Sequence, residues 1–213
     1  MPPRLQLAPA PDAAAPPAPP GARERPASAF AIDVPATVLE RARRGERAAF
    51  EQVYRLFERP VFTLALRIAG DRESAADVLQ DTMMKAFRRI GDFRNDGAPF
   101  WGWLRQIAVN ESLMRLRGQR HEGFAIALDD APALEDLAPP PPAAADAAQL
   151  QRALAVLPAA TRSVLWLYHA EGYTHEEIAA LMQRTPSFSK SQLARGSRRL
   201  RELLTDPTEA VHG

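Results

Sequence analysis

The sequence predicts an all-α protein made of two small helical domains joined by a flexible linker. Three observations carry this. Apolar residues recur at spacings of three and four in two separate blocks, and no stretch alternates with the period of two that a half-buried strand requires. Of the 20 prolines, ten lie in residues 2–35 and five in 132–142, leaving the two blocks nearly free of them. Proline lacks a backbone donor and breaks helix interiors, so the clusters mark where regular structure stops.

The first block follows an Ala/Pro-rich tail, residues 1–36, with too few large apolar side chains to offset its ordering entropy. It spans 37–118. Leu39, Ala42, Ala49, Phe50, Val53 and Phe57 mark a helical stretch that continues past Pro60 into the apolar run Val61–Ile68. Ala75, Val78, Leu79, Met83, Ala86 and Ile90 form one face of a further helix, capped at Asp71 or Ser74 and ended at Gly91. On its polar side, Asp81 and Lys85 are spaced for an i, i+4 ion pair. A last helix runs from about Phe100 to Arg117, with Trp103, Leu104, Ile107 and Ala108 inward.

Residues 119–146 read as an acidic, partly extended linker, with Glu122, Asp129, Asp130, Glu135, Asp136 and Asp146 against Arg120 and the run Pro139–Pro142. The second block, 147–205, is a set of short helices followed by a tail, 206–213. Pro158 suits a helix start. Thr174-His175-Glu176-Glu177 is a capping box. After Gln183-Arg184-Thr185, Pro186 opens a longer helix reaching Leu204, with Leu193, Leu200 and Leu203 inward.

Composition removes several function classes. The chain has 213 residues, net charge +1 and no cysteine, which excludes disulfides, thiolate metal sites and cysteine nucleophiles. No apolar run approaches the roughly 18 residues that span a bilayer, and no secretory h-region follows Met1. A cytoplasmic protein is expected. The histidines (His121, His169, His175, His212) lack metal-ligand spacing, and no phosphate-binding glycine loop or Ser/His/Asp set occurs. No catalytic residue, metal, cofactor or small-molecule substrate is therefore expected.

Nucleic-acid chemistry is legible in two places. The helices over 174–204 form a helix-turn-helix, whose second helix enters the major groove N-terminal end first. Arg184, Lys190, Arg195, Arg198, Arg199 and Arg201 precede the first acid, Glu202. Lys190 and Gln192 suit base edges; Ser187, Ser189 and the arginines suit phosphates. The second place is Phe93–Trp103, which combines aromatics with glycines and leads into a helix bearing Arg105, Asn110, Arg115 and Arg117. Rings that stack on unpaired bases, beside cations that hold phosphates, suit a single strand. Trp103 alone is better read as core.

Asp77-Val78-Leu79-Gln80-Asp81-Thr82 with Lys85-Ala86-Phe87 resembles region 2.2 of the sigma-70 family. Phe93-Arg94 and Trp103-Leu104-Arg105-Gln106-Ile107-Ala108-Val109-Asn110 resemble regions 2.3 and 2.4. Glu176-Glu177-Ile178-Ala179, Lys190-Ser191, Arg195 and Arg198-Arg199-Leu200 resemble region 4.2. With these two domains alone, the chain is most similar to the extracytoplasmic-function group.

The resemblance implies a sigma factor that directs core RNA polymerase to promoters, under anti-sigma control. Asp77, Gln80, Asp81 and Lys85 would contact polymerase, docking on its β′ clamp. Phe93, Arg94, Trp101, Trp103, Arg105, Asn110, Arg115 and Arg117 would lie by the melted minus-10 element. Arg184, Ser187, Ser189, Lys190, Gln192, Arg195, Arg198 and Arg199 would lie by the duplex minus-35 element. The linker would occupy the RNA-exit path of polymerase, and an anti-sigma factor could hold the protein at the membrane, away from the nucleoid. The family's usual Leu-Gly turn is here Met182-Gln183, its apolar anchor in the recognition helix is Ser189, and its acidic residue four positions after the asparagine is Met114. The competing reading is a helix-turn-helix regulator acting without core polymerase.

Overall fold

A computed structural model describes residues 28–94, 98–121 and 141–205, with side chains described for all of these except 119–121 and 141–147. Among the described residues there are eight α-helices and no strand: α1 Ala36–Arg43, α2 Arg47–Ala69, α3 Arg72–Arg89, α4 Phe100–His121, α5 Pro141–Val156, α6 Ala159–His169, α7 His175–Met182 and α8 Pro186–Thr205. The all-α expectation holds, and the chain forms two modules, α1–α4 and α5–α8.

Local chemistry sets most of the boundaries. The Asp71 side chain accepts from the Ser74 amide and starts α3. Thr174 and Glu177 make the reciprocal capping box that starts α7. Pro60 lies inside α2, which runs through it. The stretch Val38–Phe57 is broken, however: Gly45 adopts φ 83° and separates α1 from α2, a left-handed turn open to glycine at little cost.

Two expected segments change. Of the tail expected over 1–36, residues 1–27 lie outside the described residues and 28–36 are ordered: Phe30 is 1% exposed and packs on Phe57, with Ile32 and Val34 also against the core. One large ring supplies the burial that the Ala/Pro composition hides. The linker expected to reach 146 ends earlier, because α5 begins at Pro141. Proline is compatible with a helix's first turn, where no intrahelical donor is needed. The rest of the linker, residues 122–140, and the loop Asn95–Gly97 lie outside the described residues.

The first module encloses an apolar core that includes Phe57, Val61, Leu64, Ile68, Leu104 and Ala108, all at most 1% exposed. In the second, Leu154, Leu157 and Leu165 form a cluster against which Leu193 and Leu200 pack. The modules also touch each other. α6 lies against α2, and α7 against α4.

Candidate nucleic-acid interface

The polar side of α3 faces α4 across a cleft of about 330 Å³ lined by Asp77, Val78, Asp81, Glu111, Met114, Arg115 and Gly118. Gln80 and Asp81 are exposed at this face. The ion pair expected between Asp81 and Lys85 is not the one formed. Lys85 bonds Glu111 of α4, and Asp77 pairs with Arg115 at 2.8 Å. Both pairs cross between helices; Asp77 and Arg115 stay largely solvated, so their pairing contributes little, whereas the Glu111 carboxylate is buried and Lys85 is the partner that satisfies it. Arg115 is thereby tied to α3, and Met114 stands 53% exposed beside it.

The aromatic group divides into a core and a rim. Phe93 is 4% exposed, with ring centroids 5.4 Å from Phe100 and 5.6 Å from Trp103. In this conformation it offers no face to a base. Arg43 of α1 holds it from behind, its guanidinium 5.8 Å from the ring centroid and bonded to the Phe93 and Ile90 carbonyls. Trp101 and Trp103 are half-buried at the rim, while Arg94 and Asn110 are exposed. Arg117 bonds back to the Leu113 carbonyl.

Arg105 turns toward the second module. Its guanidinium sits 5.4 Å from the Trp101 centroid and 5.0 Å from that of Tyr173. It donates to the Glu171 carbonyl at 3.0 Å and lies 3.7 Å from the Glu171 carboxylate. Burial drives the Glu171 pKa up, against the opposing pull of Arg105 and the Ser28 hydroxyl. Tyr173 donates to Gln106 at 3.3 Å, and burial raises its pKa too.

A second contact between the modules centres on Arg162, 9% exposed in α6. It donates to Arg67, Ile68 and Ala69 carbonyls at the end of α2 and to Ala155 and Leu157 carbonyls at the end of α5. Helix C-termini carry partial negative charge and unpaired carbonyls, so two of them can hold one cation without a bonded carboxylate. Burial, then Arg67, lowers the Arg162 pKa, with Asp71 opposing. Arg67 itself stacks over Trp166 at 5.3 Å.

On the second module, Arg184, Ser187, Lys190, Ser191, Arg195, Arg198 and Arg199 lie on the exposed side of α8 and its turn. Arg184 covers Phe188 at 5.8 Å. Ser189 is fully buried and Gln192 half-buried, so these two face inward. Gln183 ends α7 at φ 55°, ψ 48°, the left-handed cap that glycine usually fills. This is how the turn survives without its usual glycine.

Sequence reasoning missed Arg162, Glu171, Tyr173 and Arg43. Arg162 carried a signal: it is the one charge in the apolar run Ala159–Tyr168. Among the described residues no group of three acidic or histidine side chains could hold a metal, and no helix is long and apolar enough to cross a membrane.

Comparison with known proteins supplies the frame for these surfaces. Residues 53–122 match the family described as Sigma-70 region 2, and residues 147–200 match Sigma-70, region 4. The RNA polymerase sigma-H factor of Pseudomonas aeruginosa is 31% identical over 169 residues, covering 74% of this chain and 87% of that protein. The ECF RNA polymerase sigma factor SigM of Mycobacterium tuberculosis is 36% identical over 160 residues, covering 75% and 79%. The sigma factor RpoE solved in complex with the anti-sigma factor NepR from Bartonella quintana superposes with a TM-score of 0.53 at 29% identity, covering 73% of this chain and 96% of that one.

Proposed function

The chain belongs to the sigma-70 family, in its extracytoplasmic-function group, and from that membership we propose how its two modules share the work of initiation. It is a sigma factor that binds core RNA polymerase and directs promoter recognition, melting and initiation under anti-sigma control. One observation carries the reading: both family regions occur in one chain, in order, each made of helices. A helix-turn-helix regulator working without polymerase would account for α5–α8 and leave α1–α4 without a task.

The acidic face of α3, with Asp77, Gln80 and Asp81, is the polymerase-docking surface. Lys85, paired to Glu111, braces it. Trp101, Trp103, Arg105, Asn110 and Arg94 engage the melted minus-10 strand, with Phe93 supporting the rim from inside. Arg115 and Arg117 have roles within the module. The exposed arginines and Lys190 of α8 engage the duplex minus-35 element. No catalytic step falls to this chain, because its work is differential binding. It acts in the cytoplasm at the nucleoid.

Arg105, whose guanidinium also covers Trp101, is engaged by Tyr173 and Glu171 while the modules are packed. Minus-10 engagement therefore requires the modules to part, and DNA affinity without polymerase is weak. What affinity remains falls with salt, because phosphate contacts release counterions.

The test is co-purification with core polymerase followed by promoter-specific transcription in vitro. Asp81→Arg reduces polymerase binding more than about tenfold, the effect expected for a reversed charge in a docking face, with unchanged helicity. Tight dimeric binding to a palindromic duplex, with no engagement of core enzyme, would sink the sigma reading.

A further inference from the structure

The inward face of α8 combines apolar packing through Leu193, Leu200 and Leu203 with small and polar residues. Its buried residues are Ser189, Gly196 and Leu203. At Gly196 the helix lies close against α6: a Cβ there would sit 2.5 Å from Thr161 Cγ2 and 2.8 Å from Leu165 Cδ1. One turn earlier, Thr161 Oγ1 donates to Gln192 Oε1 at 2.6 Å. At the N-terminal end, Ser189 Oγ is 2.9 Å from His175 Nδ1, and the His175 ring stacks on Tyr168 with centroids 4.8 Å apart. Residues 189, 192 and 196 share one helix face, so these contacts form a polar, close-packed seam beside the apolar packing of Leu193 and Leu200.

Such a seam constrains rotation more sharply than apolar packing does. Apolar side chains repack at modest cost when a helix shifts. A hydrogen bond weakens steeply once its angle falls below about 120°. The bonds at 189 and 192 thus fix which side chains α8 turns outward.

The same geometry bears on base reading. A glutamine that reads adenine uses both ends of its amide. Whichever way the Gln192 amide is placed, one end is committed to Thr161. Ser189 is 0% exposed and has no path to a groove.

We infer that Gln192 and Ser189 are positioning residues that fix the rotation of α8, and that sequence reading falls to Ser187, Lys190, Ser191 and Arg195 on its exposed side. Arg195 is held over that side by bonds to the Ser191 hydroxyl, at 2.9 Å, and carbonyl. This deepens the sigma reading and rests on it, since it assumes that α8 meets duplex DNA.

The test uses holoenzyme assembled from the full chain and core polymerase. It transcribes a promoter library randomised over the upstream duplex element, and transcripts are counted by sequence. Loss of a reader erases preference at the base it reads, so Lys190→Ala flattens one or two positions. Loss of a positioning bond weakens every contact together. Gln192→Ala and Thr161→Val therefore flatten all positions in parallel, with transcription from the best promoters down about three- to tenfold, the range for one partly buried hydrogen bond. The double variant is no worse than either single one, because both remove the same bond. Thr161→Ser keeps the hydroxyl and retains the wild-type profile.

Gln192→Ala flattening a single position would overturn the inference, as would an unchanged profile or additive losses in the double variant. If Thr161→Val fails to fold, Ser189→Ala replaces it and is judged on parallel flattening alone, because it removes a different bond, the one to His175. A wild-type chain that supports no transcription with core enzyme fails the sigma reading instead, so the two failures are distinct.

Discussion

Helices α2 and α4 meet through an apolar core containing Phe57, Leu64, Leu104 and Ala108, whereas at the α2–α6 contact Val164 and Leu167 extend that core and Arg162, Arg67 and Trp166 add a polar set beside it. The first contact excludes water and gains from every ångström squared removed from it. The second buries a cation whose desolvation offsets much of what its hydrogen bonds return. Inside the first module, then, the packing is apolar throughout. Between modules a smaller apolar contact is joined by directional bonds, a mixture less costly to part than a wholly apolar core. The Arg105–Glu171–Tyr173 contact has the same character.

The contrast is sharpest at Leu104, which is fully buried. Leu104→Ala should destabilise the first module by about 2–5 kcal/mol, read from urea unfolding. A smaller loss would mean that this core is looser than its burial implies. Arg162→Ala should instead separate the modules without unfolding either. It leaves the end carbonyls of α2 and α5 without their donor, a loss of about 1–3 kcal/mol. Small-angle scattering should show a larger radius of gyration at unchanged helicity. Unfolding of both modules together would mean that the contact between them is as integral to the fold as the core.

Gly70→Ala approaches the same seam from the other side. Gly70 has φ 99°, and an added Cβ would collide with the Arg162 guanidinium. Partial opening by scattering is expected, weaker than for Arg162→Ala because the arginine can move aside.

The smallest effect concerns pH. The Glu171 pKa is raised by burial in the packed state, so that state binds its proton more readily than the open one. Its contribution is fully present below the ordinary carboxylate value and is lost as pH rises through the raised one. Wild type should therefore open slightly as pH rises across that window. Glu171→Gln should not, and matched scattering series on the two proteins isolate this group from the other carboxylates.

Much of the fold was legible because its signals are local. The Asp71 cap, the Thr174–Glu177 box and the apolar spacing of α3 and α4 each lie within one or two helical turns. The site was less legible because its pairings are not. Lys85 chose Glu111, 26 residues on, over Asp81 one turn away. Arg162 stood out as a lone charge, yet its partners are backbone carbonyls, which no residue type announces. Phe30 was hidden by composition, since its Ala/Pro surroundings describe the tail and not the ring.

The Ser28–Phe30 strap links the start of the described chain to Glu171, 143 residues later. Synthesis runs from the N-terminus at about 5–20 residues per second. Helix α4 ends at His121, so about 3–10 s of elongation separate it from Glu171. During that interval the strap has no Glu171 to grip, and Arg105 has neither Glu171 nor Tyr173 to meet. Each new molecule thus passes through an unsealed stage on the ribosome before it can close.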